Sequence, residues 1–482
     1  MSDLRAVGYH IGLLLCVLGL TMAVPLALDL WAASANWRAF AVGGTVTLFI
    51  GGALGVTCAD RARGGLSIRQ ALMLTTSLWA IAPVFAAVPF LIGAPGVSFT
   101  NGYFEAMSGL TTTGSTVFVG LDAMPPGVLI WRAMLQWFGG IGIIVVALAI
   151  FPSLGVGGMQ LFKTESFDTM GKVLPRASEI AVSVSWVYLI LTLLCAFAYG
   201  ATGMSAFDAF AHAMTTIATG GFANYDASFG AFSPPAEYVA TAFMLLASLP
   251  LARFVQLVSR QHGALFRDSQ VRAFLAVMLA ASAAIVAWRM ADMTGDFETV
   301  LRKSLFNTAS VLTGTGFASE DYALWGSLPV AVLFMIGLVG GCSGSATCAL
   351  KVFRFQVLIA AVGAQVRAIH SPSGVFTPRY EGRKIDDAVL SSVMSLFYFF
   401  ALTLATVAVA LAMMGLDATT AISGAATALA NIGPGFGDVI GPSGNFASLP
   451  DNAKWLLSLT MLIGRLEVLS IFVLFTAAFW RA

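Results

Sequence analysis

The sequence predicts an all-α polytopic membrane protein, with two N-terminal transmembrane helices followed by four helix–pore-loop–helix repeats in a pseudo-fourfold arrangement. Three observations predict it. First, 58% of the 482 residues are hydrophobic and only 10% are charged, against about a quarter charged in soluble domains; the mean hydropathy is +0.87. Second, apolar runs of the length needed to cross a bilayer follow one another along the whole chain. Third, a short Gly/Thr/Ser-rich stretch, unsuited to a membrane helix, recurs four times.

The apolar runs lie near 8–31, 39–58, 70–93, 127–151, 180–201, 236–259, 271–291, 327–366, 387–415 and 453–480. The first is long and is followed by charged residues and a second span, so it reads as a retained helix and not a signal peptide. The eighth is too long for one span, and glycines interrupt it at 340–347. Most Lys and Arg fall on one side of this series: Arg5, Arg61, Arg63, Arg69, Lys163, Lys172, Arg176, the group Arg253–Arg272, and Arg367–Lys384. Positively charged loops stay in the cytoplasm, so both termini are expected inside. The opposite side carries an excess of acids, among them Asp122, Asp226, Glu237, Glu320 and Asp438. A negative mouth concentrates cations, although acids are also simply tolerated outside.

The repeat is visible in "GLTTTGSTV" (109–117), "TTIATGGFA" (215–223), "VLTGTGFAS" (311–319) and "LANIGPGFG" (429–437). Aligned on one glycine each, these give Gly114, Gly220, Gly316 and Gly433, spaced at about a hundred residues. Each glycine follows an apolar span and a short segment ("GYFEAMSGL", "AFDAFAHAM", "RKSLFNTAS", "AISGAATAL") and precedes a second span. The expected units are 1–60 for the two extra helices, then 61–160, 161–262, 263–370 and 371–482 for the repeats.

Irregular backbone at membrane depth survives only when it is buried in protein or lines water. Glycine permits dihedrals that turn carbonyls towards one axis, and four such loops make a ring that can replace a cation's hydration shell. The candidate filter is therefore Thr112, Thr113 and Gly114; Ala218, Thr219 and Gly220; Gly314, Thr315 and Gly316; and Asn431, Ile432 and Gly433. The carbonyls of Thr113, Thr219, Thr315 and Ile432 are the expected K⁺ ligands. One such cluster alone would read as a helix-packing surface; four in register with four helix pairs read as a filter. Ile432 and Pro434 prevent the fourth loop from copying the Thr-Gly chemistry of the others.

A second candidate site is "GLVGGCSGSATCALK", Gly337 to Lys351. So many small and polar residues disfavour a regular helix, which leaves a helix-packing seam or a flexible intramembrane loop below the filter. Gly340, Gly341, Cys342, Ser343, Gly344 and Ser345 are its candidate elements. Arg465, in "LIGRLEVLS", falls deep inside the last run if that run is one straight helix, where a charge is costly. Pairing with Glu467 is poor at a spacing of two on a helix. Arg465 is therefore expected to face the loop from below and hold it shut, with Lys351 assisting.

Other function classes are excluded. A net charge of +1 without a basic tail gives no reason to expect nucleic acid. The five cysteines form no CxxC pair and read as small apolar residues. His10, His212, His262 and His370 are scattered; Ser343 has no GxSxG context; HExxH and the phosphate-binding lysine loop are missing. No enzyme and no cofactor in this chain are expected. Pro250, in "FMLLASLPLARF", is expected to kink the span that carries it.

These motifs resemble the TrkH/KtrB/HKT superfamily of K⁺ uptake proteins, and the two extra N-terminal spans resemble its TrkH branch. The resemblance covers nearly the whole chain and rests on "FEAMSGLTTTGS", "TTIATGGF", "NIGPGFGD", "GGCSGSA" followed by Lys351, and "MLIGRLEVLS". It implies a fourfold pore in one chain, a homodimer, K⁺ preferred over Na⁺, and an intramembrane gate at 340–345. It also implies the bacterial inner membrane as location and a separate TrkA-type cytoplasmic subunit that binds NAD or ATP/ADP. The basic inner loops near 152–179 and 367–386 are its plausible dock, though the topology rule explains them equally. The function expected is K⁺ uptake through a gated pore, the alternative being a K⁺ symporter coupled to H⁺ or Na⁺.

Overall fold

The computed structural model describes residues 2–59, 66–149, 158, 177–258, 264–292 and 295–481. Eight helices among them are long and apolar enough to cross a membrane, and two bent helix pairs bring the total to ten. The first two elements, Leu4–Trp31 and Trp37–Cys58, pack at close range because glycines line their contact: a side chain on Gly12 or Gly51 would strike the facing backbone. Small residues at such a seam let membrane helices approach.

Four shorter helices stand between the spans: Phe99–Leu110, Ala206–Ile217, Phe297–Leu312 and Ala418–Ala430. Their 12 to 16 residues reach roughly three-fifths to four-fifths of a 30 Å hydrocarbon core at 1.5 Å per residue, so each ends inside the protein. Each starts on a side-chain cap three residues before the amide it accepts: Ser98 from Asn101, Ser205 from Asp208, Asp296 from Thr299 and Asp417 from Thr420. Such caps satisfy amides that the first helical turn leaves open.

Two spans break. Pro234–Ala247 and Leu251–Leu257 meet at 90° across Ser248–Pro250, as the position of Pro250 leads one to expect. Asp451–Arg465 and Val468–Leu474 meet at 106°, which corrects the expectation of one straight span over 453–480. Glu467 takes a left-handed φ of 60° there, and Arg465 is the last residue of its helix instead of lying mid-span. The eighth run divides into Ser327–Gly337, an irregular segment, and Val352–His370.

The bases that fall on the acidic face are mostly consumed by acids. Arg132 pairs with Glu105, Arg289 and Lys303 with Glu320, Arg302 with Glu237 and Glu298, and Lys454 lies 3.9 Å from Asp451. The basic residues at 61, 63, 163, 172, 176 and 260, and most of the 152–179 loop, lie outside the described residues. The cysteines are free thiols, Cys195 and Cys342 buried and Cys16, Cys58 and Cys348 half-buried.

Candidate functional site

The four short helices end in one repeated backbone figure. A left-handed residue follows each helix: Thr112 (φ 51°), Thr219 (49°), Gly314 (73°) and Asn431 (53°). Two residues later comes a left-handed glycine: Gly114 (87°), Gly221 (79°), Gly316 (83°) and Gly433 (103°). The amide of the residue between them turns back onto its helix: Thr113 to the carbonyl of Ser108 (2.8 Å), Gly220 to Thr215 (2.9 Å) and Ile432 to Thr427 (3.0 Å). In the third loop the amide of Gly316 reaches Ser310 instead (3.2 Å).

These dihedrals correct the expected register of the second loop by one residue. Gly221, not Gly220, matches Gly114, Gly316 and Gly433, and the carbonyl matching Thr113, Thr315 and Ile432 is that of Gly220, not Thr219. Two adjacent glycines satisfy an alignment by composition equally well; only the hand of φ separates them. Thr219 takes the place of Thr112, and its hydroxyl bonds the Ala218 carbonyl at 2.8 Å.

The four loops close on each other in cyclic order. A Cβ at Gly114 would meet the Gly220 carbonyl oxygen, one at Gly221 that of Thr315, one at Gly316 that of Ile432, and one at Gly433 that of Thr113, each closer than 3.0 Å. Every glycine thus lies against the matching carbonyl of the next loop, and the fourth returns to the first. Side chains tie the seam between first and fourth. The Ser115 hydroxyl donates to the Gly433 carbonyl (2.7 Å), and the Asn431 amide donates to the Thr113 hydroxyl (2.9 Å) and the Met461 carbonyl (3.0 Å). On the outer-assigned side a cavity of about 300 Å³ opens over Gly114, Gly221, Gly316 and Pro434, with Asp226 at its rim.

Three residues beyond each left-handed glycine, the backbone amide is clasped by a side chain of the same repeat's short helix. Glu105 accepts from Val117 (2.9 Å), His212 Nε2 from Asn224 (3.3 Å), Asn307 from Ser319 (3.3 Å) and Ser423 from Phe436 (3.0 Å). Sequence reasoning missed this set, because four different residue types do the same work and share no motif. The His212 Nδ1 lies 2.8 Å from the Asp208 carbonyl, so with Nε2 accepting, Nδ1 is the protonated nitrogen. Glu105 also holds Arg132 at 2.8 Å, and that guanidinium donates to the Ala223 carbonyl (2.8 Å) and stacks 4.1 Å from the Phe222 ring centroid. Asp208 accepts from Asn224, Tyr225 and Ser205. Burial and that carboxylate push the Tyr225 hydroxyl up. Gln136, wholly buried, donates to the Gly220 carbonyl and accepts from the Phe222 amide (3.0 Å).

The segment from Leu338 to Lys351 is irregular and largely buried, with Gly340 and Gly344 left-handed at 76°. It seats in the break at Pro250. The Cys342 amide donates to the Ser248 carbonyl (3.0 Å), the Leu251 amide to the Gly344 carbonyl (3.0 Å), and the Ala346 amide to the Ala247 carbonyl (3.4 Å). Gly341 packs against Thr347 and the Ser248 carbonyl. The Ser343 amide donates to Gln270 (2.9 Å), and Ser345 bonds the Cys342 carbonyl (2.7 Å) and Thr347 (2.6 Å). The break thus supplies the backbone groups that the segment cannot pair internally.

Arg465 donates to the Ala346 carbonyl (3.4 Å), to the Cys348 sulfur and to the Gly139 carbonyl (3.0 Å). It therefore contacts the irregular segment from a helix end. Glu467 pairs with Arg354 at 2.7 Å, not with Arg465. Lys351 is buried at the start of Val352–His370 with a left-handed φ of 69°, without a hydrogen bond to Arg465's partners.

The profile of the family described as "TrkH: Cation transport protein" matches residues 37–482. The Trk system potassium uptake protein TrkI of Halomonas elongata is 44% identical, covering 96% of this chain and 94% of its own. The Trk system potassium uptake protein TrkH of Escherichia coli is 35% identical over 99% of both. The crystal structure of the potassium transporter TrkH from Vibrio parahaemolyticus superimposes with a TM-score of 0.92 at 32% identity, over 99% of this chain and 100% of that one.

Proposed function

The chain belongs to the TrkH family of cation transport proteins, a multi-pass membrane family, and from that premise we propose that it carries K⁺ into the bacterial cytoplasm through a selective pore formed by its four loops. One observation carries the reading: four left-handed glycines, each seated on a carbonyl of the next loop in closed order. The proposed ligands are the carbonyls of Thr113, Gly220, Thr315 and Ile432. Their fixed spacing replaces the hydration shell of one cation size. The four repeats that carry the loops are proposed at 61–160, 161–262, 263–370 and 371–482, after two extra helices.

The segment 340–345 is the proposed gate, latched by Arg465. A fixed cation below the filter repels K⁺, and the latch opens only when the segment leaves the Pro250 break. The work of moving it is assigned to a TrkA-type cytoplasmic subunit that binds NAD or ATP/ADP, acting on a homodimer in the inner membrane with both termini inside. No cofactor in this chain and no catalysis are invoked.

The alternative, symport with H⁺ or Na⁺, needs a carboxylate free to exchange a coupling ion on the pathway. Glu105, Asp208 and Glu298 on the short helices are instead committed to Arg132, to three donors and to Arg302, and Glu467 is committed to Arg354, which favours the pore. Reversal potentials in proteoliposomes test both. A potential that follows the K⁺ gradient alone supports a pore; one displaced by an imposed H⁺ or Na⁺ gradient supports symport, and equal K⁺ and Na⁺ permeability removes the filter assignment. Reporter fusions at Gly382 should read cytoplasmic and those at Tyr225 and Ser327 external. Fusions at Arg63 and Lys172, outside the described residues, should also read cytoplasmic.

A further inference from the structure

The break at Pro250 turns the helix Leu251–Val258 by 90° from the span before it, so this helix lies across the direction of that span. Where it meets the start of the span Ser269–Ala291 and the small hairpin of Arg379–Tyr380 and Arg383–Lys384, a cavity of about 410 Å³ is lined by Arg253, Arg267, Arg272, Asp268, Ser269 and Glu381. The two acids are occupied. Asp268 pairs with Arg253 at 2.9 Å and caps the Gln270 amide at 2.9 Å, and Glu381 accepts from the Ser269 amide at 3.0 Å. Arg267 and Arg272 are exposed and form no ion pair among the described residues. Phe266, beside Arg267, is 71% exposed.

We propose that this cavity binds the phosphodiester headgroup of an anionic phospholipid, with Arg267 and Arg272 on the phosphate and Phe266 among the acyl chains. Guanidinium is the side chain best suited to phosphate, and a cation pair beside an exposed aromatic at interface level matches a lipid's own division into charge and hydrocarbon. A free phosphate is the weaker fit. The helix-terminal amides that would cradle one are already taken by Glu381 and Asp268, which leaves only point charges, and a lipid arrives at that level held by its own bilayer. The proposal does not depend on the filter assignment. It places a lipid contact directly behind the break that seats the 340–345 segment.

The test is native mass spectrometry of the purified full chain, titrated with phosphatidylglycerol, with phosphatidylcholine and with inorganic phosphate. Phosphatidylglycerol should be retained over phosphatidylcholine. Each arginine near an anionic headgroup contributes about fivefold, so Arg267→Gln with Arg272→Gln should weaken retention about twenty-five-fold, while Arg267→Lys with Arg272→Lys keeps most of it. If the double glutamine variant does not fold, the single Arg272→Gln should still lose about fivefold. Unchanged retention in the variants, equal retention of phosphatidylcholine, or displacement of the lipid by millimolar phosphate would overturn the proposal.

Discussion

The side-chain amide of Gln136 grips the backbone on both sides of Gly221: it donates to the Gly220 carbonyl and accepts from the Phe222 amide. One residue of a spanning helix therefore sets the orientation of the peptide that the second loop contributes to the ring. A Cβ at Gly220 would collide with that amide, whereas a Cβ at Gly221 would collide with the Thr315 carbonyl of the third loop.

The two glycines consequently fail for different reasons. Gly221→Ala should abolish K⁺/Na⁺ discrimination or conduction with the fold kept, and no change at Gln136 should repair it. Gly220→Ala should also lose discrimination, but Gln136→Ala in the same chain should restore part of it by making room. Gln136→Ala alone leaves a buried donor and acceptor unpaired at about 1–3 kcal/mol each, and should lower selectivity. Bi-ionic reversal potentials of the three single variants and the two double variants with Gln136→Ala separate these outcomes; identical behaviour of Gly220→Ala and Gly221→Ala towards Gln136→Ala would refute the register.

Glu105→Gln leaves Arg132 charged and buried without its carboxylate. Loss of one partner of a buried pair costs about 3–5 kcal/mol, so a fall in melting temperature is expected. Replacing the pair together, as Glu105→Gln with Arg132→Met, should recover much of the stability. Thermal denaturation in detergent measures both.

Arg465→Ala removes three contacts that tie the irregular segment and Gly139 to the end of the helix Asp451–Arg465. Rb⁺ flux into liposomes should rise and its dependence on the cytoplasmic subunit should weaken. Deleting Gly341–Ser345 should act in the same direction. Folded Arg465→Ala protein with wild-type or lower flux is the contrary result.

Acid should loosen the N-terminal ends of two short helices. The Asp296 carboxyl is held low by the Thr299 backbone amide, and that of Asp417 by the Thr420 side chain and amide. A depressed carboxylate stabilises the fold above its unfolded pKa near 4, and that contribution disappears as pH falls through the folded value. Melting temperature should therefore drop below about pH 4, and less so in Asp296→Asn with Asp417→Asn, whose caps do not titrate.

The four loops were legible because Gly, Thr and Ser interrupt apolar runs at a regular interval, and physics permits such interruptions only in protected places. The irregular segment at 338–351 was legible for the same reason, and Pro250 announced its kink. The register at Gly220 and Gly221 was not, since composition carries no sign of φ. The break at Leu466 was not, because no proline marks it and the nearby Gly464 stays inside the helix; a left-handed Glu467, held by Arg354, makes the turn. The clasps at Glu105, His212, Asn307 and Ser423 were hidden by their chemical diversity, each visible only once the backbone amide it serves has a position.

The seam between first and fourth loops joins residues 318 positions apart, Ser115 with Gly433 and Asn431 with Thr113. During synthesis the first three loops are made long before the last, and until Gly433 enters the bilayer the Thr113 carbonyl has no neighbour on that side. An unfinished chain thus holds three quarters of a ring and cannot offer an ion a complete set of oxygens. A chain that stops before the fourth loop therefore lacks one side of the proposed filter, and the ring order is complete only when the last repeat is in place.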